Sequence, residues 1–316
     1  MDKSNKTRTG ILNCIGNTPL VELSNNIVPH GSARIFAKIE GVNPTGSMKD
    51  RMALAMIEEA ERDGRLKQGD TVVEYSAGST GTSLAQVCAV KGYSLRIVTS
   101  EVFSQDKLDH MRALGAELIM IPSKNGGITK TLFTEMIETA RQLSKEPHVY
   151  WTDQINNHDM LVGYQKLGIE IWEQTKGQID AFVHSVGTCG SLRGISTELL
   201  KHKSGIKMVA VEPAESPVLS GGQTGSHSID GIGAGFVVPH WNPNLVSEIL
   251  TVTTSEAMLW TRKLAEKEAI FAGTSSGGNL VSALRVAKRM PSDSVVVTLF
   301  PDTGLKYLST DLYNNA

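Results

Sequence analysis

Asn43-Pro44-Thr45-Gly46-Ser47-Met48-Lys49-Asp50-Arg51 sets a lone lysine behind a Pro/Gly turn and at the head of an amphipathic segment. Pro44 and Gly46 punctuate the turn, Ser47 is the expected N-cap, and Met52, Ala53, Met56, Ile57 and Ala60 recur at helical spacing. Lys49 therefore falls in the first helical turn. There the positive end of the helix dipole disfavours a second positive charge, which eases deprotonation of the amine and makes it a candidate Schiff-base nucleophile. A solvated surface lysine is the competing reading. The rest of the chain weighs between them.

Outward from this stretch the pattern alternates. Residues 15–23 read as a turn running into a short strand, further strands are expected at 34–39, 71–75, 95–98 and 117–121, and helices from Lys49 onward, at 84–90 ending at Gly92, at 107–114 and at 129–143. Residues 150–155 read as the passage into a second unit. Beyond it come a helix at 169–175, an apolar strand at 181–186, a helix through Leu192, Ile195 and Leu199, and a strand at 208–211. Helices at 255–267 and through Leu280, Leu284 and Ala287 precede a last strand at 294–300. Strand and helix in alternation build parallel sheets, so the expected architecture is α/β, in two layers with a cleft between them.

At 316 residues the chain exceeds one typical core, which favours two domains. The formal net charge of −2 and the lack of a basic tract with interleaved aromatics exclude nucleic acid as a partner. Cys14, Cys88 and Cys189 are far apart and form no C-x-x-C pair, which argues against a disulfide framework or a zinc cage and for a reducing, cytoplasmic setting. The eight histidines are scattered, so no metal site is assigned. Residues 1–10 are polar and lack a signal-peptide core, and no run approaches the ~20 apolar residues of a membrane span.

Three Gly/Ser/Thr stretches share a strand-then-helix layout: Ser76-Ala77-Gly78-Ser79-Thr80-Gly81, Gly187-Thr188-Cys189-Gly190-Ser191 and Gly273-Thr274-Ser275-Ser276-Gly277-Gly278. Such junctions aim backbone N–H groups and a helix dipole at an anion. No G-x-x-x-x-G-K-[ST] occurs, and Gly231-Ile232-Gly233-Ala234-Gly235 supplies only part of a dinucleotide fingerprint, away from a strand end. A cofactor with one phosphate and one aldehyde would use one cradle and one lysine, and pyridoxal phosphate combines them.

These motifs resemble those of the cysteine synthase/cystathionine β-synthase family of fold type II pyridoxal-phosphate enzymes. The resemblance spans nearly the whole chain: Ile15-Gly16-Asn17-Thr18-Pro19-Leu20 is similar to the family's opening motif and 43–51 to its lysine motif, with Glu212-Pro213, 231–236 and 301–310 matching later signatures. It implies two three-layer α/β/α domains with mostly parallel sheets, a smaller one at 37–152 carrying Lys49 and the substrate loop, and a larger cofactor-binding one from 1–36 with 153–316. It also implies Lys49 as the Schiff-base residue and general base. Ser79 and Gly187, Thr188, Cys189, Gly190 and Ser191 would bind the cofactor, the last five through its phosphate. Ser275 would meet the pyridine nitrogen. Ser76, Ala77, Gly78, Thr80, Gln154 and Gly231 would contact the amino-acid substrate. The implied reaction is β-replacement through an α-aminoacrylate, with O-acetyl-L-serine and sulfide giving L-cysteine. Cystathionine β-synthase activity, O-phosphoserine use, another β-substituted alanine or a silent binding protein are the alternatives. A homodimer and a serine acetyltransferase partner also follow from the resemblance alone. The chain ends at Ala316 without the regulatory tandem of longer cystathionine synthases.

Three positions depart from the family pattern. Ser79 replaces an asparagine, which either retunes substrate choice or is made up by a water. Tyr75 replaces a proline, as wall or as packing. Cys189 replaces a glycine and reads as a small buried residue rather than a redox centre. Asp50 and Arg51 read as structural partners of the lysine turn.

Overall fold

Runs of β-branched and apolar residues form the centres of two sheets in the computed structural model, which describes residues 10–123 and 129–314. The polar segment at 1–10 therefore lies almost wholly outside the described residues. One sheet has the order β5 (Glu117–Met120), β4 (Ser94–Thr99), β3 (Thr71–Tyr75), β6 (Val149–Trp151), all parallel. The other has the order β1 (Leu20–Glu22), β2 (Arg34–Ile39), β10 (Val295–Phe300), β7 (Ala181–Ser185), β8 (Lys207–Pro213), β9 (Glu248–Val252). It is parallel except for the antiparallel β1–β2 edge. Every residue of β7 and β10 is buried, as expected of central parallel strands covered on both faces.

Helices α1 (Lys49–Asp63), α2 (Ser79–Lys91), α3 (Gln105–Ala113) and α4 (Lys130–Leu143) accompany the first sheet. Helices α5 (Met160–Gln174), α6 (Gly190–His202), α7 (Thr254–Glu268) and α8 (Thr274–Ala287) accompany the second, and α9 (Asp311–Asn314) follows β10. Gly64 and Gly92 end α1 and α2 in left-handed caps. Thr253 and Glu256 close a reciprocal capping box on α7. The fold is α/β, with mostly parallel sheets. Its described residues fall into two compact units: those up to Thr18 with Val42–Thr152, and Pro19–Gly41 with those from Asp153 onward.

Several elements differ from the sequence-based expectations. Helix α2 starts at Ser79 rather than at 84, because Thr80 to Ser83 are buried and packing overrides their weak helix propensity. Helix α5 starts at Met160 rather than at 169, and its glycines, which obscure the pattern, are what let it pack. A Cβ on Gly168 would stand 2.8 Å from Glu198 Cβ, and one on Gly194 of α6 2.7 Å from Tyr164 Cβ. Strand β9 is a half-buried edge with no clear alternation. The third Gly/Ser/Thr stretch follows an isolated bridge between Ala272 and Thr303 rather than a strand.

Within the first sheet the chain passes from β3 to β4 on one side while β6 lies on the other. Within the second it passes from β7 to β8 while β10 lies on the other side. Strand order thus reverses at β3 and at β7, the positions where open α/β sheets leave a binding crevice beyond the strand ends. The junctions that follow β3 and β7 are the first two Gly/Ser/Thr stretches.

Candidate active site

Asp50 holds the lysine turn shut. Its fully buried carboxylate accepts the Thr45 N–H (2.8 Å), the Thr45 hydroxyl and the Ser83 hydroxyl (2.6 Å). Ser83 belongs to α2, so the turn is fastened to the helix that carries the end of the 76–81 loop. Asn43 Oδ1 accepts the Gly16 N–H (2.9 Å) and Arg51 Nη2 donates to Thr18 Oγ1 (3.3 Å), which ties the opening motif to the same turn. Lys49, half-buried, is the first residue of α1. The N-cap is Met48 rather than the expected Ser47: closure of the turn on Asp50 already puts Met48 in helical geometry, and the Ser47 hydroxyl accepts the Lys49 N–H (3.2 Å) from one position earlier. Asp50→Ala leaves three buried donors without their acceptor and is expected to cost about 3 kcal/mol of stability, with Asp50→Asn falling between. Urea titration of both variants checks this, and a cost for Asp50→Ala below about 0.5 kcal/mol would contradict it.

The loop at 76–81 is braced from inside. Ser76 Oγ accepts the N–H groups of Gly78 (3.0 Å) and Gly81 (2.9 Å), so its oxygen shapes the loop. Ser79 and Thr80 stand in the first turn of α2, where the dipole is positive, and Ala77 and Ser79 are half-buried. A Cβ on Gly78 would stand 2.5 Å from Lys107 Cδ, so the stem of Lys107 from α3 lies over this loop. Tyr75 is buried at the end of β3.

In the other unit, Gly187, Thr188, Cys189, Gly190 and Ser191 wrap the start of α6. A Cβ on Gly187 would lie 2.2 Å from the Gly231 carbonyl oxygen, and one on Gly190 2.0 Å from Met160 Sδ. Cys189 is the N-cap, in left-handed geometry with φ 67°. Ser191 Oγ lies 2.8 Å from His184 Nε2. The Asp230 N–H donates to Thr274 Oγ1 (3.0 Å) at the head of α8, and Ser275 follows, buried, its hydroxyl making no hydrogen bond among the described residues. Residues 187–191, Gly231 and Ser275 are thus drawn together within one unit. Gln154, also buried, opens the second stretch of that unit.

Burial pushes the thiols of Cys88 and Cys189 up to about 12. Neither is a thiolate at neutral pH. Iodoacetamide is expected to alkylate half-buried Cys14 in the folded protein and the other two only after denaturation, as peptide mass mapping would read. Burial also pushes His240 down to about 4; it sits edge-on to His158 at 4.8 Å. Among the described residues no group of three His, Cys, Asp or Glu side chains could hold a metal ion.

The donor set fits a phosphorylated aldehyde. The 187–191 loop admits no extra Cβ at Gly187 or Gly190, carries hydroxyls at Thr188 and Ser191, and has no acidic side chain to oppose a phosphate. Ser275 offers a neutral hydroxyl and Lys49 an amine. The sequence model of the pyridoxal-phosphate dependent enzymes matches residues 11–302. The chain belongs to the pyridoxal-phosphate dependent enzymes. Among relatives in that family, a cysteine synthase of Staphylococcus aureus is 42% identical over 307 residues, 96% of each chain. The crystal structure of an O-acetyl serine sulfhydrylase from Entamoeba histolytica superposes with a TM-score of 0.93 at 36% identity, covering 99% of this chain and 94% of that one. An O-acetylserine dependent cystathionine β-synthase from Helicobacter pylori gives 0.91 at 34%, covering 98% and 100%. This pyridoxal-phosphate enzyme therefore has the expected fold and cofactor.

Three residues that brace these loops, each within its own unit, escape the sequence reading: Lys107, whose stem covers Gly78, and the pair His184 and Asn279 behind Ser191. The one signal for His184 is a titratable residue inside the apolar run 181–186, seven positions before Ser191.

Proposed function

We propose that this pyridoxal-phosphate enzyme is a cysteine synthase that replaces the acetoxy group of O-acetyl-L-serine with sulfide. The observation that carries this reading is the 42% identity to a cysteine synthase over 96% of both chains. In this reading Lys49 would anchor the cofactor covalently, residues 187–191 would hold its phosphate, Ser79 would face its ring oxygen and Ser275 its ring nitrogen. Ser76, Ala77, Gly78, Thr80, Gln154 and Gly231 would hold and orient the substrate. The unit with 42–152 would present Lys49 and the substrate loop, and the other would carry the phosphate cradle.

Pyridoxal phosphate, when bound, supplies the electron sink that lets a substrate lose its α-proton and its β-substituent. Lys49 Nζ, as a free amine beside the substrate, would take the α-proton and later return it to the same carbon. The helix-start N–H groups around Ser79 and Thr80 orient the substrate carboxylate. Ser275 would offer the ring nitrogen a neutral hydroxyl rather than an acid, which suits elimination at the β-carbon.

A second reading is β-replacement with another nucleophile or leaving group. It is favoured by Ser79, by the Lys107 stem over Gly78 and by the Helicobacter relative. Both are tested by giving the purified holoenzyme O-acetylserine, then sulfide or homocysteine in parallel, with cofactor absorption and amino-acid products followed together. Cysteine with sulfide supports the main reading. A spectrum unmoved by O-acetylserine sinks it and leaves the cofactor assignment standing. The cytoplasmic setting, a homodimer and a serine acetyltransferase partner belong to this proposal on resemblance. Three free cysteines support the first, and among the described residues no helix is long and apolar enough to cross a membrane.

A further inference from the structure

Behind the loop at 187–191 lies a chain of hydrogen bonds whose polarity can be read from its anchors. Asn279, fully buried in α8, accepts the Ser185 N–H on Oδ1 (2.8 Å) and donates from Nδ2 to the Leu299 carbonyl (2.8 Å). These two backbone groups fix which end of the amide is nitrogen. The second Nδ2 hydrogen faces His184 Nδ1 at 3.2 Å, so Nδ1 must carry a lone pair. His184, also fully buried, then bears its proton on Nε2 and donates it to Ser191 Oγ at 2.8 Å. With its oxygen serving as acceptor, the Ser191 hydroxyl is left to donate its own proton away from His184.

We propose that His184, oriented by Asn279, is a positioning residue that fixes the Ser191 hydroxyl as a donor to the cofactor phosphate. The proposal rests on the reading of residues 187–191 as the phosphate cradle. A dianionic phosphate ester offers acceptors only, so a serine free to rotate would spend part of its time aiming a lone pair at it. The relay removes that freedom before the ligand arrives. A histidine with its proton on Nδ1 would instead accept from Ser191 and withdraw the donor. The imidazole thus sets the hydroxyl's polarity without touching the phosphate.

The test is a double-mutant cycle read by binding. Apo-protein of full length is titrated with pyridoxal phosphate for wild type, His184→Leu, His184→Gln, Ser191→Ala and the His184→Leu/Ser191→Ala pair, with the ³¹P resonance of the bound phosphate recorded for each. Ser191→Ala is expected to weaken binding by about tenfold, because it loses a hydrogen bond to a charged group, and His184→Leu by less, about fivefold, because it keeps the hydroxyl but not its orientation, with the ³¹P signal moving in the same direction. The pair is expected to be no weaker than Ser191→Ala alone. Glutamine can accept at one end and donate at the other, and so should restore affinity to within about twofold. Additive losses in the pair, or no effect of His184→Leu beside a clear effect of Ser191→Ala, overturn the relay. If Ser191→Ala itself changes nothing, the cradle assignment is what fails. Should His184→Leu not fold, ¹⁵N spectra of wild-type imidazoles decide: a pyrrole-type Nε2 and a pyridine-type Nδ1 on His184 support the proposal, and the opposite tautomer overturns it.

Discussion

Lys49→Ala is expected to lower turnover by about 10⁴-fold or more, because the proposed function gives one amine two tasks, covalent anchor of the cofactor and base at the α-carbon. The fold should survive the change. The contacts that shape the turn run through Asp50, Asn43 and Arg51, which the substitution leaves in place. Denaturation should therefore stay within about 1 kcal/mol of wild type. The visible absorption of the bound cofactor should shift to that of free aldehyde, and pyridoxal phosphate should wash out on gel filtration. Lys49 would be removed from the site by a variant that keeps the wild-type spectrum and full turnover.

Gly187→Ala should weaken cofactor binding through the proposed phosphate cradle. The new methyl would fall 2.2 Å from the Gly231 carbonyl oxygen. Both partners are backbone, so neither can rotate aside, and the start of α6 or the loop at Gly231 must move. A displacement of about 1 Å in a positioning loop is enough for a loss of about 100-fold. Gly205→Ala is the matched control, since nothing stands within 4 Å of a methyl there. Titration of both apo-proteins with pyridoxal phosphate should separate them. Equal affinities would mean that the 187–191 loop does not hold the phosphate.

What the sequence made legible follows the physics of each element. Strands 34–39 and 71–75 are read to the residue because β-branched runs bounded by turns have one interpretation. The lysine turn is read from its punctuation, and the structural role expected of Asp50 and Arg51 agrees with their hydrogen bonds. Helices α2 and α5 are read late, since glycines and hydroxyl residues near their starts lower local propensity while packing keeps them helical. The capping role expected of Ser47 passes to Met48 for a reason that needs the buried Asp50. His184 is a lone histidine in sequence; it becomes informative only when residues 94 and 95 positions apart are seen to touch.

The order of strands also dictates an order of synthesis. Strand β2 pairs with β10, whose residues leave the ribosome about 260 positions later, a delay of roughly 10–50 s at ordinary elongation rates. During that interval the compact unit with Val42–Thr152 already has every strand of its own sheet. Residues 34–39, by contrast, present an apolar edge whose neighbour has not been made. The sheet built on 71–75 can thus be completed while the other still waits for residues 295–300. It is in this window that a chaperone, or slower translation after residue 152, would most improve the yield of native protein.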